Sequence, residues 1–289
     1  MIPACVKKVA RDIKNLKIQG ATHIAIEGLN SLKKIEKDKR MLLECSKFLA
    51  ETRPVEPLLR NGLRYVLKAV GDGESVGSAV DEYLQLCVDA IEKIIAFGAK
   101  RIEDTSKIMT HCHSSIVIDI LKHAKQYGKK FEVIACEARP KFQGRITAVE
   151  LSKAKIPVTF IVDSAANFFI NKVDLVLVGC DAITAECDFF NKIGSSAIAL
   201  CANEAETDFA IATELLKFDP ETTFGTIEKI EERDFHEVWS KPPKGVEIRN
   251  PAFDIIPAKH IHFVITENGI MQPQGVLSSV KEVYPWIFK

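Results

Sequence analysis

The sequence predicts an α/β fold, in which an N-terminal helical domain over residues 1–102 precedes a Rossmann-like, doubly wound parallel sheet over residues 103–289. Two observations support this prediction. In the first part of the chain, apolar residues recur at helical spacing among charged ones. From about residue 103, short β-branched runs alternate with helical stretches of about ten residues or more, a period typical of βαβ units.

The helical part contains three clear amphipathic segments, which are Val6–Ile18, Ala21–Ile35 and Val80–Phe97. The third segment ends at Gly98, a residue type that commonly ends a helix. Before it lies Thr52–Pro57, where two prolines favour an extended chain.

Six short apolar runs are the candidate strands: Lys107–His111, Phe131–Glu137, Val158–Asp163, Leu175–Gly179, Phe209–Ala212 and His262–Thr266. Runs of this kind are typical of strands buried in a parallel sheet. The segment Pro242–Gly245 is predicted to be a loop. The first strand is not followed by a Gly-x-Gly-x-x-Gly motif, and the chain has no Walker phosphate loop, which disfavours a dinucleotide cofactor and nucleotide hydrolysis.

Composition excludes several classes of protein. Hydrophobic residues make up 47% of the 289 residues, enough for a substantial core. The 39 basic and 39 acidic residues balance, so there is no basic surface for nucleic acid, and no apolar stretch is long enough to span a membrane. Met1–Lys8 lacks the apolar core of a signal peptide, so we expect a cytoplasmic location. The eight cysteines form no Cys-x-x-Cys pair and no zinc spacing with histidine, and we expect most to be buried free thiols.

Two of the candidate strands end directly before reactive side chains. Cys112 follows the run Lys107–His111, and Asp181 follows the run that ends at Cys180. In an open parallel sheet the ligand crevice lies beyond the carboxyl ends of the strands. A thiol and a carboxyl group are therefore predicted at one edge, where they can exchange protons with a small organic substrate without a metal.

Cations follow other strands at the same predicted edge. They are Arg139, Lys141, Lys192 and Lys217, with Asn191 and Lys192 placed at the start of the helix after the Asp181 strand. Such a set suits an anionic substrate, most simply a phosphate ester, and should lower the pKa of the Cys112 thiol. Taken singly, each residue is also explained as a helix cap, a structural ion pair or a solvated charge. Their coincidence at one edge favours a site.

Five motifs together resemble one superfamily: Thr110–Ser114, Glu137–Gly144, Val162–Ala166, Gly179–Thr184 and Asn191–Gly194. It contains the regulatory subunits of translation initiation factor 2B, methylthioribose-1-phosphate isomerase and archaeal ribose-1,5-bisphosphate isomerase. The resemblance covers nearly the whole chain. The isomerases carry a cysteine and an aspartate at the positions of Cys112 and Asp181, and the string Arg139–Gly144 is most similar to the ribose-1,5-bisphosphate branch.

The resemblance implies an aldose–ketose isomerase that converts ribose 1,5-bisphosphate to ribulose 1,5-bisphosphate in nucleotide (AMP) salvage. Cys112 would be the base and Asp181 the acid. It implies substrate contacts from Gln19, Gly20, Ala21, Thr22, Arg53, Ser114, Ser115, Asn191, Lys192 and Lys217. It also implies no metal or cofactor, a homo-oligomer (a dimer or a hexamer), and AMP as an activator.

Three positions depart from the pattern of the superfamily. Gln19 stands in place of an arginine, Thr22 in place of a glycine, and Ser115 in place of a common lysine. The lost cations would weaken phosphate binding. They favour the alternative of a non-catalytic regulatory subunit in a complex like translation initiation factor 2B, or the isomerisation of another pentose phosphate. The retained Cys112 and Asp181 favour the enzyme.

Overall fold

A computed structural model describes residues 2–35, 38–53, 56–224 and 230–288. Five helices precede the first strand: α1 (Ala4–Lys14), α2 (Ala21–Asn30), α3 (Lys39–Ala50), α4 (Pro57–Gly71) and α5 (Val76–Arg101). The three predicted helical segments correspond to α1, α2 and α5. The first ends earlier than predicted, because Leu16 adopts a left-handed φ of 57°. The prediction that the third ends at Gly98 is wrong, because α5 continues to Arg101. Pro54 and Val55 of the predicted extended segment lie outside the described residues.

All six predicted strands are present. The ten strands of the described chain are β1 (Lys107–Thr110), β2 (Glu132–Cys136), β3 (Val158–Ile161), β4 (Leu175–Val178), β5 (Ala182–Ile183), β6 (Phe189–Lys192), β7 (Asp208–Ala212), β8 (Phe253–Ile256), β9 (Phe263–Thr266) and β10 (Gly269–Met271). Seven form one sheet in the order β10-β9-β7-β4-β1-β2-β3, in which only β10 is antiparallel to its neighbour. Pro242–Gly245 is a loop, as predicted.

The sheet reverses its direction of winding between β1 and β4. The chain runs outward from β1 through β2 to β3, and then returns to place β4 on the other side of β1. The two strands pair in parallel, with Ile108 opposite Leu175 and Met109 opposite Val176. Such a reversal leaves a crevice beyond the carboxyl ends of the two strands, which is where ligands bind in open α/β sheets.

Helices cover both faces of the sheet. Those after β1 are α6 (Ser115–Gln126), α7 (Gln143–Lys153), α8 (Ala166–Ile170), α9 (Ser195–Glu204) and α10 (Val276–Val283). Side chains of β1 alternate between two buried apolar clusters, with Met109 in one and Ile108 in the other. Both clusters contain residues from either side of residue 102, so the division into two domains at that point stays a prediction. None of the described helices combines the length and apolar character that a membrane span requires.

A second sheet of three antiparallel strands, β5-β6-β8, stands beside the main one and was not predicted. The prediction that Asn191 and Lys192 open a helix is wrong. Both lie on β6, where they pair with Asp254 and Phe253 of β8. Gly194, with a φ of 100°, turns the chain after the strand, and α9 begins only at the next residue.

Candidate active site

Cys112 lies immediately beyond β1 in a left-handed conformation, with a φ of 68°. This region is unfavourable for a residue with a Cβ atom and persists only where surrounding contacts fix the chain. Thr147 of α7 supplies one such contact, since its hydroxyl donates to the Cys112 carbonyl at 2.8 Å. The ring Nε2 of His111 supplies another and lies 2.8 Å from the Ile193 carbonyl oxygen. Taken as a whole residue, Cys112 is partly exposed in this position, although its thiol lies on the buried side.

Asp181 lies beyond β4, where the chain passes from the main sheet into β5. Its backbone N–H donates to the Phe190 carbonyl at 2.8 Å, which attaches it to the small sheet. The preceding carbonyl, of Cys180, accepts from Lys217 Nζ at 2.9 Å. The Asp181 side chain is partly exposed. Cys112 and Asp181 therefore follow the two adjacent strands between which the sheet reverses.

The prediction that the Cys112 thiol has a lowered pKa is wrong, although the charge of Lys192 does act in that direction. Burial is the main influence and raises the pKa of this thiol to about 11. The Lys192 charge and the backbone N–H of His113 oppose it, whereas the carboxylates of Asp181 and Asp163 add to it. Of the four predicted cations, Lys192 is the one whose charge lowers this pKa.

The other three predicted cations are engaged elsewhere. Arg139 donates to the Val238 carbonyl at 3.0 Å, and Lys141 Nζ lies 3.4 Å from a carboxylate oxygen of Glu237. Lys217 is 6% exposed, and its Nζ lies 2.9 Å from Glu214 Oε2. Burial alone would lower the pKa of Lys217, but the neighbouring Glu214 carboxylate outweighs it and raises this pKa. Lys217 is thus a buried structural partner and not a solvated charge.

Lys192 and Arg53 lie near the same aromatic ring. Lys192 Nζ is 5.3 Å from the centroid of Phe253, and the Arg53 guanidinium carbon is 5.6 Å from it. Lys192 Nζ donates a hydrogen bond to the Ala252 carbonyl at 3.2 Å. The partner in this contact is neutral, so the contact does not neutralise the lysine charge. Arg53 pairs with a buried carboxylate, with its Nη1 3.2 Å from Glu56 Oε1. Two cations on different elements thus lie near one ring.

The predicted stretch Gln19–Thr22 forms the start of α2. Gly20 precedes the helix with a φ of 83°, which only glycine adopts readily. The Gln19 amide donates to the Leu16 carbonyl at 2.6 Å, and Ala21 and Thr22 are the first residues of the helix. The helix packs against α4, which follows Arg53 in the chain. A role for these four residues in substrate binding stays a prediction.

Ser114 and Ser115 form the start of α6, directly after Cys112. The Ser114 hydroxyl caps the helix by accepting from the Val117 N–H at 3.4 Å, and Ser115 is exposed. A Cβ atom on Gly179 would lie 2.5 Å from the Ser114 hydroxyl oxygen, so only glycine lets the end of β4 approach this helix start. Asn191 is buried and donates to the Ser195 hydroxyl at 3.0 Å.

Three potential metal ligands lie together behind the site. One donor atom each from His111, Cys136 and Asp163 lies within 4.8 Å of the other two. Asp163 already accepts from the backbone N–H groups of Ala138 and Arg139, at 2.8 and 2.7 Å, so it orders that loop. The three residues come from the ends of three different strands, so their spacing in the sequence could not reveal the cluster. The expected absence of a metal stays a prediction.

Sequence reasoning missed Glu56, the residue immediately before α4. It is 1% exposed, and burial is the main influence that raises its pKa to about 8. The charges of Asp181 and Lys217 influence this pKa, and the ion-pair partner of Glu56, Arg53, lies near the same Phe253 ring as Lys192. The available signal was a carboxyl group between two prolines, directly before an apolar helix.

A family model described as the initiation factor 2 subunit family matches residues 17–273, which is most of the chain. The chain belongs to this family. This chain is similar to two archaeal proteins called ribose 1,5-bisphosphate isomerase. The protein from Methanocaldococcus jannaschii is 41% identical over 98% of this chain and 97% of its own length. The one from Pyrococcus furiosus is also 41% identical, over 100% of this chain and 97% of its own length.

A solved structure from the initiation factor 2 subunit family has the same fold. The Pyrococcus horikoshii OT3 translation initiation factor eIF-2B superposes with a TM-score of 0.82 and 28% identity, over 94% of this chain and 98% of its own. The resemblance identified from the five motifs is therefore confirmed, as is the fold class of helices followed by a mostly parallel sheet.

Proposed function

We propose that this chain is an isomerase that converts ribose 1,5-bisphosphate to ribulose 1,5-bisphosphate in nucleotide (AMP) salvage. One observation carries the proposal. Two partly exposed residues that carry a thiol and a carboxyl group, Cys112 and Asp181, follow the adjacent strands β1 and β4 at the reversal of the sheet. The proteins called ribose 1,5-bisphosphate isomerase that are about 41% identical over nearly the full length support the same reaction.

The reaction transfers a hydrogen from C2 to C1 of the sugar and moves protons at its oxygens, which requires one base and at least one acid. We assign the transfer at carbon to the Cys112 thiolate and the transfer at oxygen to Asp181. A pKa of about 11 leaves only a small thiolate fraction at neutral pH, so the Lys192 charge, which lowers this pKa, is expected to stabilise the reactive form.

Phosphate binding is assigned first to Lys192 and Arg53, the two cations near Phe253. The start of α6 at Ser114 and Ser115 adds backbone N–H groups directly after Cys112, an arrangement that favours anions. Lys217 contacts Glu214 and Cys180, which supports a role in holding the loop that carries Asp181. Its role as a phosphate ligand, and those of Asn191 and the stretch Gln19–Thr22, stay predictions.

We also propose a homo-oligomer, a dimer or a hexamer. Exposed apolar side chains occur on and beside the edge strand β3 and on the helix α7 that packs on it: Phe160, Val162, Ile146 and Val149. An edge strand with exposed apolar neighbours is commonly covered by a partner. Activation by AMP and a cytoplasmic location stay predictions.

The decisive experiment incubates the purified protein with ribose 1,5-bisphosphate and detects ribulose 1,5-bisphosphate through a coupled carboxylase. We expect product to form without added metal. Binding of the sugar bisphosphate without product would instead support the second candidate, a non-catalytic regulatory subunit. That candidate is favoured by the likeness to the Pyrococcus horikoshii translation initiation factor eIF-2B.

A further inference from the structure

Glu56 carries a buried carboxyl group directly before α4. Its side chain is 1% exposed, and within the described part of the chain neither of its oxygens accepts a hydrogen bond. The contact with Arg53, at 3.2 Å, is an ion pair without hydrogen-bond geometry. It also precedes α4 without capping it. A buried carboxyl group left in this way is costly, and it requires a proton, a water molecule or a ligand.

The charged groups that act on Glu56 come from both sides of the pocket. Arg53 lies beside it on the helical side, and Glu231 shares that cation, with its Oε2 3.4 Å from Arg53 Nε. Lys217 and Asp181 act on it from the sheet side. The group therefore contains two cations, Arg53 and Lys217, and three carboxyl groups, which are those of Glu56, Asp181 and Glu231. Burial first, and then Asp181 and Glu231, raise the pKa of Glu56 to about 8, while Arg53 and Lys217 lower it. The group holds a proton at neutral pH.

We propose that Glu56 is a third proton-transfer group of this pocket, which donates to the ring oxygen of the sugar while Asp181 takes the proton from the oxygen on C2. The proposal rests on the proposed isomerase function. Ribose 1,5-bisphosphate is a closed ring with a phosphate on C1, so it requires a proton at the ring oxygen before the chain can open. Asp181 is partly exposed and Glu56 is buried, which suits the first as acceptor and the second as donor.

The steps balance without an oxidant or a reductant. The bond between C1 and the ring oxygen breaks, its electron pair stays on that oxygen, and Glu56 supplies the proton that forms the hydroxyl group. The Cys112 thiolate takes the proton from C2, and the electrons of that bond form a double bond to C1. The thiol then returns its proton to C1, while Asp181 takes the proton from the C2 hydroxyl group as the ketone forms. Proton transfer from Asp181 to Glu56 restores the starting state.

The first test is the pH dependence of activity in Glu56→Gln, which keeps the shape of the side chain but has no acidic proton. In the wild type, kcat/KM should rise with pH as the Cys112 thiolate forms and should level off near pH 8, where Glu56 begins to lose its proton. Glu56→Gln should lose at least about 100-fold in kcat, the lower end of what an acid–base group contributes, and its kcat/KM should keep rising through pH 8. Glu56→Asp should recover part of the rate.

Glu231→Gln is the matched control, because it removes the other carboxylate that contacts Arg53. It should change KM and keep the levelling of kcat/KM near pH 8. A levelling near pH 8 that persists unchanged in Glu56→Gln, or a rate within about tenfold of the wild type, would overturn the proposed proton route.

A second measurement needs no substrate. The folded protein should keep its proton on Glu56 up to about pH 8, whereas an unfolded glutamate loses it near its ordinary pKa. The wild type should therefore lose unfolding free energy between about pH 5 and 8 relative to Glu56→Gln. Parallel stability curves in an active enzyme would overturn the role of Glu56 alone. A wild type that binds the sugar bisphosphate but does not isomerise it would overturn the proposed function, and the proton route with it.

Discussion

The two sides of the pocket are built by different physical means. On the sheet side, Cys112 and Asp181 are held through their backbones, by β1, β4 and the hydrogen bonds of the flanking loops, and both residues are partly exposed. On the helical side, Arg53 and Glu56 are held through side-chain ion pairs. Groups fixed by the backbone are available for chemistry. Groups fixed by one another respond to any change in charge, so they are suited to recognition and to pH dependence.

The sharpest test of the sheet side is Cys112→Ser. A hydroxyl group is a far weaker base than a thiolate at neutral pH, so kcat should fall by about 10²–10⁴, the usual contribution of an acid–base group. Cys201→Ser is the matched control, because this cysteine is also partly exposed but lies on α9. Circular dichroism should show the same fold in both variants. Wild-type kcat in Cys112→Ser would remove this thiol from the mechanism.

Asp181→Asn should reduce kcat by at least about 100-fold, because an amide cannot carry a proton between substrate oxygens. The change is nearly isosteric, so the affinity for ribose 1,5-bisphosphate, measured by calorimetry, should survive. Asp119→Asn is a suitable control, since it removes a carboxylate on α6 whose ion-pair partner is Lys122, 3.8 Å away. A kcat within about tenfold of the wild type would contradict the assignment of Asp181.

The same contrast explains what the sequence could predict. A short β-branched run specifies a buried parallel strand, and parallel strands share one ligand edge, so the places of Cys112 and Asp181 follow from local pattern and topology. The strand β6 could not be found in this way. All four of its residues, Phe189–Lys192, pair with β8, about sixty residues later in the chain, whereas the nearby partner β5 has only two residues.

Charged contacts were harder to predict for a similar reason. The rise in the pKa of Cys112 depends on its burial, and the partners of Lys141 and Lys217 depend on where distant segments pack. Glu56 is informative only once Asp181 and Lys217 are brought near it by the fold. The spacing of residues along the chain does not reveal such contacts. The sequence therefore predicted well which residue types lie at the ligand edge of the sheet. It predicted less well whether their side chains are protonated.

Lys217 joins two loops at the edge of the sheet, because it donates to the Cys180 carbonyl after β4 and pairs with buried Glu214 after β7. Lys217→Met leaves that carboxylate without its partner, and breaking a buried pair costs about 3–5 kcal/mol of unfolding free energy. Urea denaturation at pH 7 should show this loss. The double variant Lys217→Met, Glu214→Gln should recover most of the stability, because it leaves no unpaired charge. If the single variant were as stable as the wild type, the Lys217–Glu214 pair would not hold this junction.

The smallest expected effect separates two lysines that the sequence placed at the same edge. Lys192 lies near Phe253 and Arg53, and a charge-assisted contact with phosphate is worth about 1.5–3 kcal/mol, so Lys192→Ala should lower kcat/KM at least about tenfold. The side chain of Lys141 is 42% exposed and pairs with Glu237. Since exposed ion pairs contribute about 0–1 kcal/mol, Lys141→Ala should stay within about fivefold of the wild type. Steady-state kinetics on both variants decides the matter. A larger loss in Lys141→Ala would move the phosphate site toward β2 and would contradict the pairing of Lys192 with Arg53 as phosphate ligands.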